Sequence, residues 1–172
     1  MINIYTNQEH INLKRLFALV LLLTCSVSEA GSFARYGLGI FNSADYGRAE
    51  NNYFSIGYQE DMIISIFKQY EVGFWSDSGG HGRANSGFGA VSLGVETLPG
   101  TVVLRGSCGV AAITNTDAML GGWFQFTQDL LVGVQDHNHN TIALNYKHFS
   151  SAGIYQPDVG RDFLTVQVEI PW

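Results

Sequence analysis

A histidine and a serine lie two residues apart near the end of the chain, and an aspartate follows twelve residues later. Side chains two residues apart on a β-strand point to the same face, so we expect His148 and Ser150 to lie side by side. If the next strand pairs with theirs across the 151–160 loop, the alternation of side chains along that strand places Asp162 on the same face. A serine, a histidine and a carboxylate in contact form a relay in which the imidazole activates the hydroxyl. The residue types and their spacing therefore indicate a base-activated serine nucleophile.

The elements that would position these side chains are β-strands. After residue 30, apolar residues alternate with small or polar ones, which is the period of a strand. The last strand shows the pattern most clearly, with one face formed by Leu164, Val166, Val168, Ile170 and Trp172. Turn residues divide the chain into eight predicted strands, near 32–42, 51–60, 62–76, 85–97, 101–113, 119–136, 140–150 and 161–172.

The connections between these strands alternate in length, as they do in outer-membrane barrels. The short connections are 59–61, 98–100 and 136–140, and the longer polar ones are 43–50, 77–84, 114–118 and 151–160. We therefore predict an all-β fold, an eight-stranded antiparallel transmembrane β-barrel of the outer membrane. The alternative is a soluble, secreted lipid-binding barrel, because such a barrel also alternates but turns its apolar face inward.

The beginning of the chain is predicted to be a targeting segment rather than part of the fold. Two basic residues precede the apolar run Leu16–Leu23, and small residues follow up to Ala30. This order is typical of a secretory signal peptide, and the run is too short to span a bilayer. We expect a signal peptide over 1–30 and the barrel domain over 31–172.

Charge and cysteine content restrict the partners and the covalent chemistry. The formal charge is −6 and no basic patch is present, so nucleic acid is not expected as a partner. Removal of the signal segment would leave Cys108 as the single cysteine, so no intramolecular disulfide is expected. Stability must therefore come from paired strands and from packing.

The predicted location of the histidine–serine pair is unusual. By parity, His148, Ser150 and Asp162 fall on the apolar, lipid-facing surface at the end of the barrel that carries the long loops. Polar groups facing hydrocarbon are costly unless they bond to one another, which a Ser–His–Asp relay achieves. The residues alone leave a second interpretation open, in which the serine and the histidine lie at the membrane interface and bond to water.

A longer motif surrounds these residues. His148, Ser150, Ser151, Ala152 and Gly153 are followed by Pro157, Asp158, Gly160 and Asp162. The motif resembles that of the lipid A 3-O-deacylase family, whose barrels carry His-x-Ser-Asn-Ala-Gly and then Pro-Asn-x-Gly-x-Glu with the same spacing. The resemblance is sharp over residues 119–172 and architectural over 31–118.

The resemblance implies a serine esterase of the outer membrane that removes the 3-hydroxyacyl chain at the 3 position of lipid A. Ser150 would be the nucleophile, His148 the base and Asp162, at the family's Glu, the group that orients the histidine. The implied oxyanion hole uses the backbone N–H of Gly153 and the side chain at Asp158, and the hydroxyl of Ser151 is a further candidate for oxyanion or substrate binding. The partners would be lipopolysaccharide and the outer membrane, with no metal and no cofactor, and a homodimer is left open.

Two positions depart from the family motif. Ser151 and Asp158 stand where the family has asparagine, and an ionised carboxylate cannot donate a hydrogen bond to an oxyanion. These departures keep an alternative function open: a catalytically inactive outer-membrane barrel with a structural or adhesive role.

Other polar residues are weaker candidates. Asp136, His137 and His139 have metal-binding side chains, but their turn is expected to be a solvated connection. Lys68 and Arg105 are expected inside the barrel, paired with acidic residues.

Overall fold

The computed structural model describes residues 30–41, 51–63, 65–77, 85–97, 101–116, 120–156 and 159–171. These residues form eight antiparallel strands: β1 (Ala30–Phe41), β2 (Asn51–Ile63), β3 (Ile66–Asp77), β4 (Ser86–Glu96), β5 (Val102–Ile113), β6 (Phe124–Gln135), β7 (Thr141–Ser150) and β8 (Arg161–Pro171). Each strand pairs with the next, and β8 returns to pair with β1. The sheet is therefore a closed barrel without an unpaired edge, which confirms the predicted fold class. Within the described residues, no helix is long and apolar enough to span a membrane.

The direction of the apolar face separates the membrane barrel from the soluble one. Leu144 on β7 and Val166 on β8 expose 52% and 50% of their surface, whereas the intervening Asn145 and Thr165 are buried. The barrel therefore turns its apolar side chains outward and its polar ones inward, as an outer-membrane barrel does. The soluble alternative is wrong, because it requires the opposite arrangement.

Two predicted strand boundaries were wrong. Residues 59–61 were expected to form a turn, but they continue β2, and the chain reverses near Ser65, which has a φ of 66°. Residues 120–123 were expected at the start of the sixth strand, but they precede β6. The predicted signal segment up to residue 29 and the terminal Trp172 lie outside the described residues.

Four charged side chains cross the middle of the barrel. Arg35 contacts Glu71 and Asp129 at 3.0 Å, and Lys147 contacts the same two carboxylates at 2.8 and 2.9 Å. All four side chains are nearly inaccessible to solvent. Because these residues come from β1, β3, β6 and β7, the network links opposite walls of the barrel.

Aromatic rings fill the interior nearer the long loops. Phe149 and Phe163 lie 6.0 Å apart, and Trp75 lies within 5.5 Å of each ring. Tyr53 and Phe88 complete this buried cluster. The interior beneath the loop end is therefore a packed core, which supports β7 and β8 from inside.

Two cations, Arg105 and Lys68, were predicted to lie inside the barrel, and Lys68 lies outside it. Arg105 is buried and contacts Glu96 and Glu169 at 2.7 Å, as expected. The prediction for Lys68 was wrong, because its position in β3 faces outward and its amino group lies 5.0 Å from the ring of Tyr70.

The interior network generates a prediction about stability. We expect Glu71→Gln to lower the free energy of unfolding by about 3–5 kcal/mol, because it leaves two buried cations with one fewer carboxylate. Glu60→Gln, on the outward face of the neighbouring strand, is the matched control and should change it by less than about 0.5 kcal/mol. Urea titration of the detergent-solubilised barrel, followed by tryptophan fluorescence, measures both. Equal effects would contradict the assignment of the network as a stabilising element.

Candidate active site

His148 and Asp162 are direct partners across the β7–β8 ladder. The Nδ1 atom of the histidine lies 2.7 Å from Oδ1 of the aspartate, and both side chains are partly exposed on the outward face. Residues directly opposite each other in an antiparallel pair have Cα atoms about 4.5–5.5 Å apart. This register explains why an aspartate, one methylene shorter than the family's glutamate, still reaches the ring.

The contact determines which ring nitrogen remains available. A carboxylate only accepts hydrogen bonds, so Nδ1–H of His148 donates to Asp162. In the neutral imidazole, Nε2 then has a free lone pair and can accept a proton. The pair therefore has the arrangement that a general base requires.

Ser150 lies on the same outward face, two residues beyond His148, and pairs with Phe126 of β6. Among the described residues no hydrogen bond joins its hydroxyl to the imidazole. Catalytic hydrogen bonds are often long before substrate binds and shorten in the complex. The structure thus brings the serine to the same end and face of β7 as the histidine, without a direct bond between them.

Tyr146 is a site residue to which the sequence analysis gave no role. Its hydroxyl donates a hydrogen bond of 2.5 Å to Oδ1 of Asp162, the same oxygen that accepts the bond from His148. Tyr146 is two residues before His148 on β7, so the alternation of the strand places it on the same face as the histidine and the serine. What the sequence could not give is the register that puts its hydroxyl within reach of the carboxylate.

The residues that alternate in sequence with the site residues point into the barrel, where packing and ion pairs hold them. Lys147 lies between the tyrosine and the histidine in sequence and points into the ion network. Phe149, Arg161 and Phe163 are at most 1% exposed, and the guanidinium of Arg161 lies 5.8 Å from the ring centre of Trp75. The site therefore sits on the outer surface of two strands whose inner surfaces are held by packing and charge.

The loop after β7 begins with a tight turn. Ile154 N donates to Ser151 O at 3.1 Å, and the two central residues, Ala152 and Gly153, have φ values of 50° and 81°. Positive φ at both central positions is typical of a type I′ turn. Gly153 is exposed on this turn, three residues after Ser150.

Of the other two predicted oxyanion residues, Ser151 is described by the structure and is not brought to the site. Ser151 is fully buried, and its hydroxyl accepts a hydrogen bond from the backbone N–H of Tyr155. It therefore faces away from the outward surface that carries Ser150. Asp158 lies outside the described residues.

Gly160 forms the wall of the site on the loop side. Its φ is 78°, and a Cβ atom added there would lie 2.8 Å from Cε1 of His148 and 3.4 Å from Nε2. The missing side chain therefore leaves the room that the imidazole occupies. The sequence motif contains this glycine, but only the structure shows that it packs against the ring.

The turn at the opposite end of β7 has a structural role. The carboxylate of Asp136 accepts hydrogen bonds from the backbone N–H groups of Asn138 and Asn140 and from the side chain of Asn140. The bond from the Asn140 side chain contributes most to holding the pKa of Asp136 below its usual value. In the part of the chain that the structure describes, no three His, Cys, Asp or Glu side chains are grouped closely enough to hold a metal.

The packing of Gly160 can be tested without an assay of activity. Gly160→Ala should move the His148 ring, whereas Gly153→Ala should not, because an added Cβ at position 153 meets no atom within 4 Å. Both substitutions carry a similar cost of about 1–2 kcal/mol for the left-handed backbone, so they are matched for strain. The measurement is the NMR signal of His148 Cε1–H in the solubilised barrel. A shift of equal size in both variants would argue against the contact.

Comparisons with known proteins give one matching family model and similar solved structures. The family model of lipid A 3-O-deacylase (PagL) matches residues 52–171. The crystal structure of the outer membrane enzyme PagL aligns with a TM-score of 0.64 at 18% identity, covering 83% of this chain and 99% of that one. The Yersinia pestis outer membrane protein Ail, solved in a phospholipid nanodisc, aligns with a TM-score of 0.51 at 12% identity, covering 84% of this chain and 100% of that one. No curated protein matches in sequence.

The solved structures and the family model support different conclusions, the first about the fold and the second about the family. At such low identities the two solved structures establish only the fold, which is the eight-stranded barrel of outer-membrane proteins. The family model carries more, because it covers most of the chain and includes β7, β8 and the loop between them. The chain therefore belongs to the lipid A 3-O-deacylase family and is a protein of the outer membrane.

Proposed function

We propose that this protein is a serine esterase that hydrolyses the ester of the 3-hydroxyacyl chain at the 3 position of lipid A. The observation that carries the proposal is the 2.7 Å contact between His148 Nδ1 and Asp162 Oδ1 on the lipid-facing surface. The contact leaves Nε2 of the histidine to act as a base. Membership of the family supports lipid A as the substrate.

The first half of the reaction forms an acyl-enzyme. Ser150 Oγ attacks the ester carbonyl carbon while Nε2 of His148 takes its proton. The tetrahedral intermediate collapses by breaking the bond to the sugar oxygen, which receives the proton from the imidazolium. Asp162 keeps Nδ1–H in place and stabilises the positive ring.

The second half restores the enzyme. His148 takes a proton from water, and the resulting hydroxide attacks the acyl carbon bound to Ser150. Collapse returns the proton to the serine oxygen and releases the 3-hydroxy fatty acid. The products are this acid and lipid A with a free hydroxyl at the 3 position.

The position of the site suits a substrate that stays in the membrane. The site lies at the loop end of β7, and below it the same face continues with the exposed apolar residues Leu144 and Ile142. An acyl chain can therefore lie along the barrel wall while its ester, nearer the headgroup, meets Ser150. Exclusion of water at this surface also strengthens the charge interactions of the site.

The nucleophile can be tested with a matched serine. We expect Ser150→Ala to abolish deacylation with little loss of stability, because it removes one hydroxyl from the outer surface. Ser76→Ala is the control, since Ser76 lies near the loop end of β3 on the opposite side of the barrel. Mass spectrometry of lipid A from cells that express each variant should show loss of one hydroxyacyl chain with the wild type and with Ser76→Ala only. Turnover by Ser150→Ala would refute the assignment.

A second test uses Asp158, which stands where the family motif has the asparagine of the oxyanion hole. Ser151 is buried, so the amide of Gly153 is the remaining candidate donor of the three residues that the motif suggests. An oxyanion donor is typically worth about 10²–10³ in rate, and an amide at position 158 would supply one. We therefore expect Asp158→Asn to raise kcat at pH 7 on purified lipid A in detergent. An unchanged or lower kcat would remove position 158 from the oxyanion hole.

A further inference from the structure

Two donors converge on one oxygen of Asp162. The hydroxyl of Tyr146 donates at 2.5 Å and Nδ1 of His148 at 2.7 Å, both to Oδ1. The tyrosine reaches this oxygen diagonally across the ladder, because its direct partner is Leu164. The carboxylate is thus held between two side chains that stand two residues apart on β7.

The apolar surroundings of Asp162 make the hydrogen bond from Tyr146 important for the position of the carboxylate. Asp162 is the outward-facing carboxylate at the start of β8, and the next residues on its face are Leu164 and Val166, both exposed to lipid. A carboxylate that faces hydrocarbon needs hydrogen bonds to each accepting site that it cannot turn towards water. With the histidine alone, the short aspartate could rotate about its Cα–Cβ bond and leave Nδ1.

We propose that Tyr146 is a positioning residue, which fixes the rotamer of Asp162 so that the carboxylate stays on Nδ1 of His148 during both proton transfers. This inference rests on the proposed esterase function. The tyrosine acts through the aspartate and does not contact the reacting ester. It also compensates for the aspartate at the family's glutamate position, since a shorter side chain makes fewer contacts of its own.

A simpler role for Tyr146 gives different expectations. Tyrosines are common at the membrane interface, where the ring packs in the apolar belt and the hydroxyl bonds to water or headgroups. A tyrosine with only that role would affect stability or substrate affinity, and its hydroxyl would matter equally whether or not position 162 carries a carboxylate. A positioning residue instead loses its effect once the carboxylate is removed.

The experiment is a double-mutant cycle on purified lipid A in detergent with Tyr146→Phe, Asp162→Asn and the double variant. We expect Tyr146→Phe to lower kcat about tenfold with KM unchanged, the loss that corresponds to one hydrogen bond to a charged group. In the Asp162→Asn background, assayed over longer incubations, the same substitution should have no further effect on kcat. Tyr36→Phe, which removes another outward-facing hydroxyl near the loop end, is the matched control.

A second readout does not depend on turnover. In ¹⁵N-labelled barrel, the downfield proton on Nδ1 of His148 reports its bond to Asp162, and Tyr146→Phe should shift or broaden this signal while Tyr36→Phe does not. An unchanged signal, or an equal loss of kcat in both backgrounds of the cycle, would overturn the positioning role. If the wild type fails to deacylate lipid A, the proposed function fails, and the NMR comparison alone decides whether the tyrosine holds the pair.

Discussion

The structure depends on the strict alternation of inward and outward side chains along strands that close on themselves. On β7, Lys147 and Phe149 point inward to the ion network and the aromatic core, while Tyr146, His148 and Ser150 point outward. A shift of one residue in the β7–β8 register would exchange these two sets and separate His148 from Asp162. Closure of the barrel removes the freedom to make such a shift. The same constraint therefore fixes the core and the candidate site.

This arrangement divides the polar groups between two very different environments. Inside, Arg35 and Lys147 share the carboxylates of Glu71 and Asp129, so that charges removed from water are paired across the barrel. Outside, Tyr146 and His148 both bond to Asp162 above an apolar wall. The outer cluster is costly as a structural feature, and the proposed esterase function accounts for it, because the ester of such a substrate would enter from the membrane. The packed, ion-paired interior holds β7 and β8, the strands that carry the outer cluster, in a fixed relative position.

Much of this organisation follows from sequence pattern. The two-residue period predicted the eight strands, the outward facing of Leu164 to Ile170, the contact of His148 with Asp162 and the shared face of His148 and Ser150, because the alternation of faces is a local property of a strand. The turn at residues 59–61 was misplaced, since polar residues such as Glu60 also occur on strands near the membrane interface. The bond from Tyr146 and the packing of Gly160 depend on register and loop path, which the local pattern does not contain. The burial of Ser151 follows from the turn that begins at that residue.

The most direct test of the account is whether Ser150 is an activated nucleophile on the membrane face of the barrel. Purified protein in lipid bilayers would be treated with a long-chain alkyl fluorophosphonate, and the adduct located by mass spectrometry of peptides. The account predicts a single adduct on Ser150 that is lost in His148→Asn. Absence of an adduct at Ser150, or labelling that persists without the histidine, would contradict it.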